Sequence, residues 1–336
     1  MKRSALAVMA VLTVIELSIV GGALIYRQRS TAATNAPGDA AAASPQSGAA
    51  TNGTTGTGAP TALPSSVATE LSERLRTLCA GARGDVGVAV VHVESGQAVQ
   101  VEGAKQLPLY SVYKLPLAIT ILKQVEEKKL SLDRKVSVTP ADVASGSQYN
   151  TDLWHLPVEK TVAELLEYSI VRSDNTSSDK LLELVDGPAG VTAHMRSLGL
   201  ANLDIKYSSR EFAAHRDQPN IGSATDLAHL LAKLQQGALL QSTSQQTLLG
   251  FMERSRTGGE RRLRADLPPG TTVADKTGSG APGTSTNDVG LITLPDGKGH
   301  LAIAVLVSGS KLTIAEQEKL IAQLARAAYD AYVAEK

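Results

Sequence analysis

Two residues three apart raise the first chemical question. Ser111 and Lys114, in "LYSVYKLPLAI", open an apolar run that continues through Leu115, Leu117, Ala118, Ile119, Ile121 and Leu122. On a helix such a pair shares one face, with Cβ atoms about 5–6 Å apart. A serine held against an amine can be a nucleophile beside its base. It can also be a first-turn cap beside a lysine that snorkels outward. Ser-x-x-Lys decides nothing alone, since it recurs at Ser177–Lys180 and Ser308–Lys311. Ser111 differs in following a proline-containing loop at the start of an apolar helix. Unsatisfied backbone N–H groups there can stabilise a developing oxyanion. Two further groupings accompany it: Ser173-Asp174-Asn175 ahead of an apolar helical run, and Lys276-Thr277-Gly278 ending a strand. Singly, the first reads as a helix N-cap and the second as a surface lysine before a turn.

These residues need elements to position them. Val67, Leu71, Leu75 and Leu78 make a helical stripe that stops at Gly81 and Gly84. "VGVAVVHVESGQAVQVEG" reads as two strands around a turn at Glu94-Ser95-Gly96-Gln97. After the Ser111 helix comes a mostly helical middle from Pro140 to about Arg256. Strands return in "TTVADKTG", "DVGLITL" and "LAIAVLV", with "PDGKG" turning between the last two. A final helix runs from Ile314 to Tyr332. Strands joined by short turns predict an antiparallel sheet and an α+β fold. The first and last helices are expected on one face of that sheet. The helical middle would form a subdomain, leaving the site in a cleft between the two.

The ordered set Ser111-x-x-Lys114, Ser173-Asp174-Asn175 and Lys276-Thr277-Gly278 is the set of class A β-lactamases and penicillin-binding proteins. From about Val67 to its end the chain resembles a class A serine β-lactamase, with similar separations between the motifs. The resemblance implies hydrolysis of the cyclic amide of penicillins and cephalosporins through a Ser111 acyl-enzyme, conferring resistance. Lys114 would serve as a base, and the backbone N–H groups of Ser111 and Ser279 would receive the oxyanion. Ser173 would pass a proton to the lactam nitrogen under the positive potential of Lys276. Asn175 would meet the substrate's amide side chain. Thr277, Gly278 and Ser279 would sit with Lys276 at its carboxylate. Lys114 would tolerate burial in a polar network with Ser111, Asn175 and a carboxylate.

That carboxylate is expected from Glu211, the residue the family uses to activate the deacylating water. The common pattern Glu-x-x-Leu-Asn here reads Glu211-Phe212-Ala213-Ala214-His215, so His215 stands in place of asparagine, as in a minority branch. Without the resemblance, Glu211 is an exposed loop charge and His215 a helix-edge residue. Whether Lys114 or Glu211 starts acylation stays open. Arg262 matches an arginine that pairs with the substrate carboxylate in some class A enzymes; the alternative is a solvated surface charge. Tyr149 and Trp154 either line the cleft mouth or simply pack.

Other functions are excluded or disfavoured. The 33 basic and 33 acidic side chains cancel, which argues against a nucleic-acid partner. The single cysteine, Cys79, rules out an intrachain disulfide and reads as a small buried hydrophobe. The six histidines show no metal-ligand spacing, and no metal or organic cofactor is expected. Gly278 to Gly283 fits G-x-G-x-x-G, yet Pro282 and a strand follow where a phosphate-binding helix should start. No G-x-S-x-G elbow occurs. Lys2 and Arg3 precede an apolar run from Ala5 to Tyr26, so residues 1–29 are expected to be a signal peptide or membrane anchor. Residues 30–66, rich in Ala, Thr, Gly, Ser and Pro, read as a disordered linker, and 67–336 as the catalytic domain. The expected protein is an exported monomer, periplasmic or otherwise extracytoplasmic, with a possible inner-membrane tether through residues 5–26. A penicillin-binding D,D-peptidase and a tethered, non-catalytic β-lactam sensor are the rival readings.

Overall fold

Strand residues point alternately to opposite faces of a sheet, and here both faces are apolar. The computed structural model of the chain describes residues 62–147, 153–281 and 284–334. Its helices are α1 (Ser65–Ala80), α2 (Lys114–Glu126), α3 (Val162–Val171), α4 (Asn175–Leu182), α5 (Gly187–Ser197), α6 (Ser209–Phe212), α7 (Ala224–Gln235), α8 (Ser242–Glu253) and α9 (Ile314–Val333). Its strands are β1 (Asp85–His92), β2 (Ala98–Val101), β3 (Gln106–Pro108), β4 (Lys135–Val138), β5 (Val158–Thr161), β6 (Ile221–Ser223), β7 (Val273–Ser279), β8 (Ser285–Thr293) and β9 (His300–Ser308).

The main sheet runs β2-β1-β9-β8-β7 with every neighbouring pair antiparallel. Along β9, Leu301, Ile303, Val305 and Val307 join Leu71 and Leu75 of α1 and Leu320, Ile321 and Leu324 of α9 in one core. Ala302, Ala304 and Leu306 belong to the other core, with α2, α3 and α7. Each fully buried Leu or Ile contributes roughly 1.5–3 kcal/mol relative to exposure. The fold is α+β as expected: an antiparallel sheet flanked by the N- and C-terminal helices, with a helical subdomain. A Thr313–Glu316 capping box starts α9, with Thr313 N–H donating to Glu316 Oε2 at 2.8 Å.

The packed part of the chain extends N-terminal of the stripe that starts at Val67. Leu63 is already buried, and its N–H and carbonyl both bond the Gln97 side chain, at 2.7 and 3.0 Å. Those bonds tie the approach to α1 to the β1–β2 turn, and α1 begins at Ser65. Cys79 packs half-buried against the α1/α9 core, and burial pushes its thiol up to about 11. The membrane-tether expectation is corrected: among the described residues no helix is long and apolar enough to cross a membrane. The segment 5–26, on which the tether rested, and Tyr149 lie outside the described residues.

Two approaches bring the sheet to the Ser111 turn. Gly278 of β7 passes so close that a Cβ there would come within 2.5 Å of the Leu109 carbonyl oxygen and 3.0 Å of Val112. Only a residue without a side chain lets β7 lie against this turn. On the adjacent strand Asn287 donates through Nδ2 to the carbonyls of Pro108 and Leu109, at 2.8 and 3.2 Å.

Candidate active site

Ser111 stands in a short 3-10 turn, Tyr110–Tyr113, that runs directly into α2 at Lys114. Lys114 has no exposed surface, so it does not snorkel. Its Nζ donates to the Ser173 carbonyl at 2.6 Å, to Asn175 Oδ1 at 2.7 Å and to Ser173 Oγ at 3.3 Å. Burial brings its pKa down to about 8, against the opposing pull of the Asp174 and Asp179 carboxylates. Those two aspartates, rather than Glu211, are the carboxylates that act on this amine.

The Ser173-Asp174-Asn175 stretch is both an N-cap and a polar cluster. Asp174 Oδ1 accepts from Ser177 N–H at 2.7 Å and caps α4. Ser173 has a φ of +52°, in the left-handed region that non-glycine residues seldom occupy. Its hydroxyl lies between two lysines, 3.3 Å from Lys114 Nζ and 3.0 Å from Lys276 Nζ. Asn175 Nδ2 donates to the Ser145 carbonyl at 2.5 Å, which holds its amide in one orientation.

Lys276 is as fully buried as Lys114. Burial first, then the nearby Lys114 charge, holds its pKa well below the ordinary amine range. Thr277 turns its hydroxyl to Thr257, whose carbonyl and Oγ1 lie 3.0 and 2.6 Å away. Arg262 is buried, which removes the surface-charge alternative. It donates to Ser279 Oγ at 2.8 Å, to the Asn287 carbonyl at 2.9 Å and to Glu318 Oε1 on α9 at 3.3 Å. Thr257 and Glu318 escaped the sequence reading, because partners 20 and 56 residues away leave no local pattern.

Glu211 lies on α6 and points elsewhere. Its carboxylate accepts from Ser208 N–H at 2.8 Å, while Glu211 N–H donates to Ser208 Oγ at 3.2 Å. That capping box lowers its pKa, the backbone hydrogen bond first. His215 stacks on Tyr207 with ring centroids 4.4 Å apart. The loop start is anchored by buried Asp179, which accepts from the N–H groups of Ser209 and Arg210 at 2.8 and 3.0 Å. Trp154 packs against the core and donates to Asp174 Oδ2 at 3.3 Å.

A cleft of about 450 Å³ opens over these groups. Ser111, Asn175 and Ser279 line it, as do Tyr110, Phe212 and Arg216, which the sequence reading did not single out. Lys114, Ser173 and Lys276 stand behind that lining, and neither Glu211 nor His215 is part of it.

The profile of the beta-lactamase enzyme family matches residues 70–332. The chain belongs to this family. It is a class A serine β-lactamase, which opens the β-lactam ring through an acyl-enzyme on serine and so confers antibiotic resistance. It is 35% identical to the extended-spectrum β-lactamase PER-1 of Pseudomonas aeruginosa, over 77% of this chain and 86% of that one. It is 29% identical to the β-lactamase VEB-1 of the same organism, over 74% of this chain and 85% of the relative. The crystal structure of a β-lactamase from Chitinophaga pinensis DSM 2588 superposes with a TM-score of 0.74 at 34% identity, covering 78% of this chain and 99% of the other. As a β-lactamase, the chain is a hydrolase rather than a sensor.

Proposed function

We propose that Ser111 is the nucleophile and that penicillins and cephalosporins are the substrates. The observation that carries this assignment is the Ser173 hydroxyl held between the Lys114 and Lys276 amines, immediately behind the cleft that Ser111 lines. Ser111 Oγ attacks the lactam carbonyl and gives its proton to neutral Lys114. The carbonyl electrons move onto oxygen, which the N–H groups of Ser111 and Ser279 receive. On collapse the C–N bond breaks. The lactam nitrogen takes the Ser173 proton, and Ser173 is reprotonated by Lys114. With both of its oxygen lone pairs turned to amines, the Ser173 O–H is free to point at that nitrogen.

Asn175, fixed by Ser145, holds the substrate amide. Lys276 with Thr277, Gly278 and Ser279 receives the substrate carboxylate, and Arg262 orients the Ser279 hydroxyl from behind. Glu211 activates the deacylating water after releasing Ser208 N–H, a rearrangement of the kind substrate-free sites often require. His215, stacked on Tyr207, stiffens the loop that carries Glu211. The enzyme is exported to the periplasm: residues 1–29 act as the export signal and the residues after them as a linker, and the catalytic domain includes Leu63 and the start of α1 at Ser65 rather than opening at Val67.

Ser111→Ala tests the assignment. Intact mass after mixing with benzylpenicillin should show no adduct on the variant. An adduct of the same size on the variant would place the nucleophile elsewhere.

A further inference from the structure

Arg216 is the single charged side chain among the described residues that line the Ser111 cleft. It is exposed, and it has no hydrogen bond or ion pair with any described residue. The Glu211 carboxylate, close in sequence, is turned to Ser208 and does not line the cleft. An unpaired cation therefore faces a space in which no described carboxylate competes for it.

The same cleft has an aromatic wall. The rings of Tyr110 and Phe212 meet edge to face, with centroids 6.0 Å apart and planes at 89°. Tyr110 has a φ of +46°, and its ring lies over Gly280, where a Cβ would approach Cζ to 2.6 Å and Oη to 2.8 Å. Gly280 thus leaves the space in which the Tyr110 ring can lie, and the pair reaches from the end of β7 to α6. Both rings line the cleft, and Ala213 and Pro219 extend the apolar surface. A substrate with its carbonyl at Ser111 and its amide at Asn175 presents its side chain to this remaining lining.

We propose that the enzyme favours β-lactams whose amide-side substituent carries both a flat ring and an anionic group. The ring packs on Tyr110 and Phe212, and the carboxylate is drawn to Arg216. This rests on the assignment of Ser111 and Asn175 above, and it adds a substrate class that the catalytic residues do not dictate.

The test compares benzylpenicillin with its α-carboxy derivative, which shares the nucleus and ring and differs by one carboxylate. The reading is the ratio of kcat/KM for the derivative over the parent, at low ionic strength. Exposed charge pairs are worth about 0.2–1 kcal/mol, so Arg216→Ala should lower the ratio by about 1.4- to fivefold. Arg216→Lys should keep most of it, and raising salt should narrow the wild-type ratio toward that of Arg216→Ala. Phe212→Ala should lower kcat/KM for both compounds together. A ratio indifferent to Arg216→Ala, with both compounds hydrolysed, overturns the proposal and leaves the Ser111 assignment intact. If wild-type enzyme hydrolyses neither compound, the substrate assignment under Ser111 fails and this proposal fails with it.

Discussion

At the scale of single residues, the proposed first proton transfer, from Ser111 to Lys114, depends on the charge that Lys114 carries. A pKa of about 8 leaves about a tenth of Lys114 neutral at pH 7 and about nine-tenths neutral at pH 9. Acylation begun by Lys114 should therefore quicken about tenfold across that interval, as read by single-turnover mixing with a penicillin. Glu211 is held below the usual carboxylate range by Ser208, so acylation begun by Glu211 would be flat from pH 6 to 9. A flat profile would reassign the base. The sign for stability follows from the same shift. Between about 8 and 10.5 the folded protein binds fewer protons at Lys114 than the unfolded chain, so this residue's contribution to stability grows as pH rises through that window. The roles of Ser111, Lys114, Ser173 and Lys276 could be suggested from sequence because their residue types and short motifs carry the chemistry. The environment of Glu211 could not, since a one-turn capping box turns its carboxylate away from the amine it was expected to meet.

At the scale of elements, the proposed oxyanion site at Ser111 and Ser279 rests on how closely β7 approaches the Ser111 turn. Gly278 permits that contact, and the obstacle to a larger residue is backbone, the Leu109 carbonyl, which cannot swing aside as a side chain can. Gly278→Ala should displace β7 by a fraction of an ångström and carry Ser279 away from Ser111. A misplacement of about 1 Å can cost on the order of 100-fold, so acylation should fall by ten- to 100-fold, roughly, while circular dichroism stays native. Wild-type acylation in this variant would show that the approach is not needed. The antiparallel strands, their short turns and the two terminal helices were legible because alternation and turn residues are local signals; the sheet order, which sets β1 beside β9, was not. The close pass of β7 was not, because a glycine in a strand does not reveal which backbone it must avoid. The anchoring of the 208–215 loop by Asp179 was hidden for the same reason: its partners are backbone N–H groups about thirty residues away.

At the scale of the whole molecule, α9 reaches the site from the far end of the chain. Glu318 pairs with buried Arg262 at 3.3 Å and with Arg261 at 3.0 Å, and Arg262 in turn bonds Ser279. Removing one partner of a buried pair costs about 3–5 kcal/mol, since the other charge stays buried. Glu318→Gln should therefore lower Tm by roughly 6–20 °C in a domain of this size, and an unchanged Tm would mean that Arg262 finds its stabilisation elsewhere. The proposed cycle joins acylation of Ser111 to hydrolysis assisted by Glu211. Intact mass followed against time after mixing with benzylpenicillin tests it most directly, on wild-type enzyme and on Glu211→Ala. The wild type should carry a transient adduct as substrate is consumed, and the variant a long-lived one. A persistent adduct on the wild type, or equally rapid release from both proteins, would contradict that cycle.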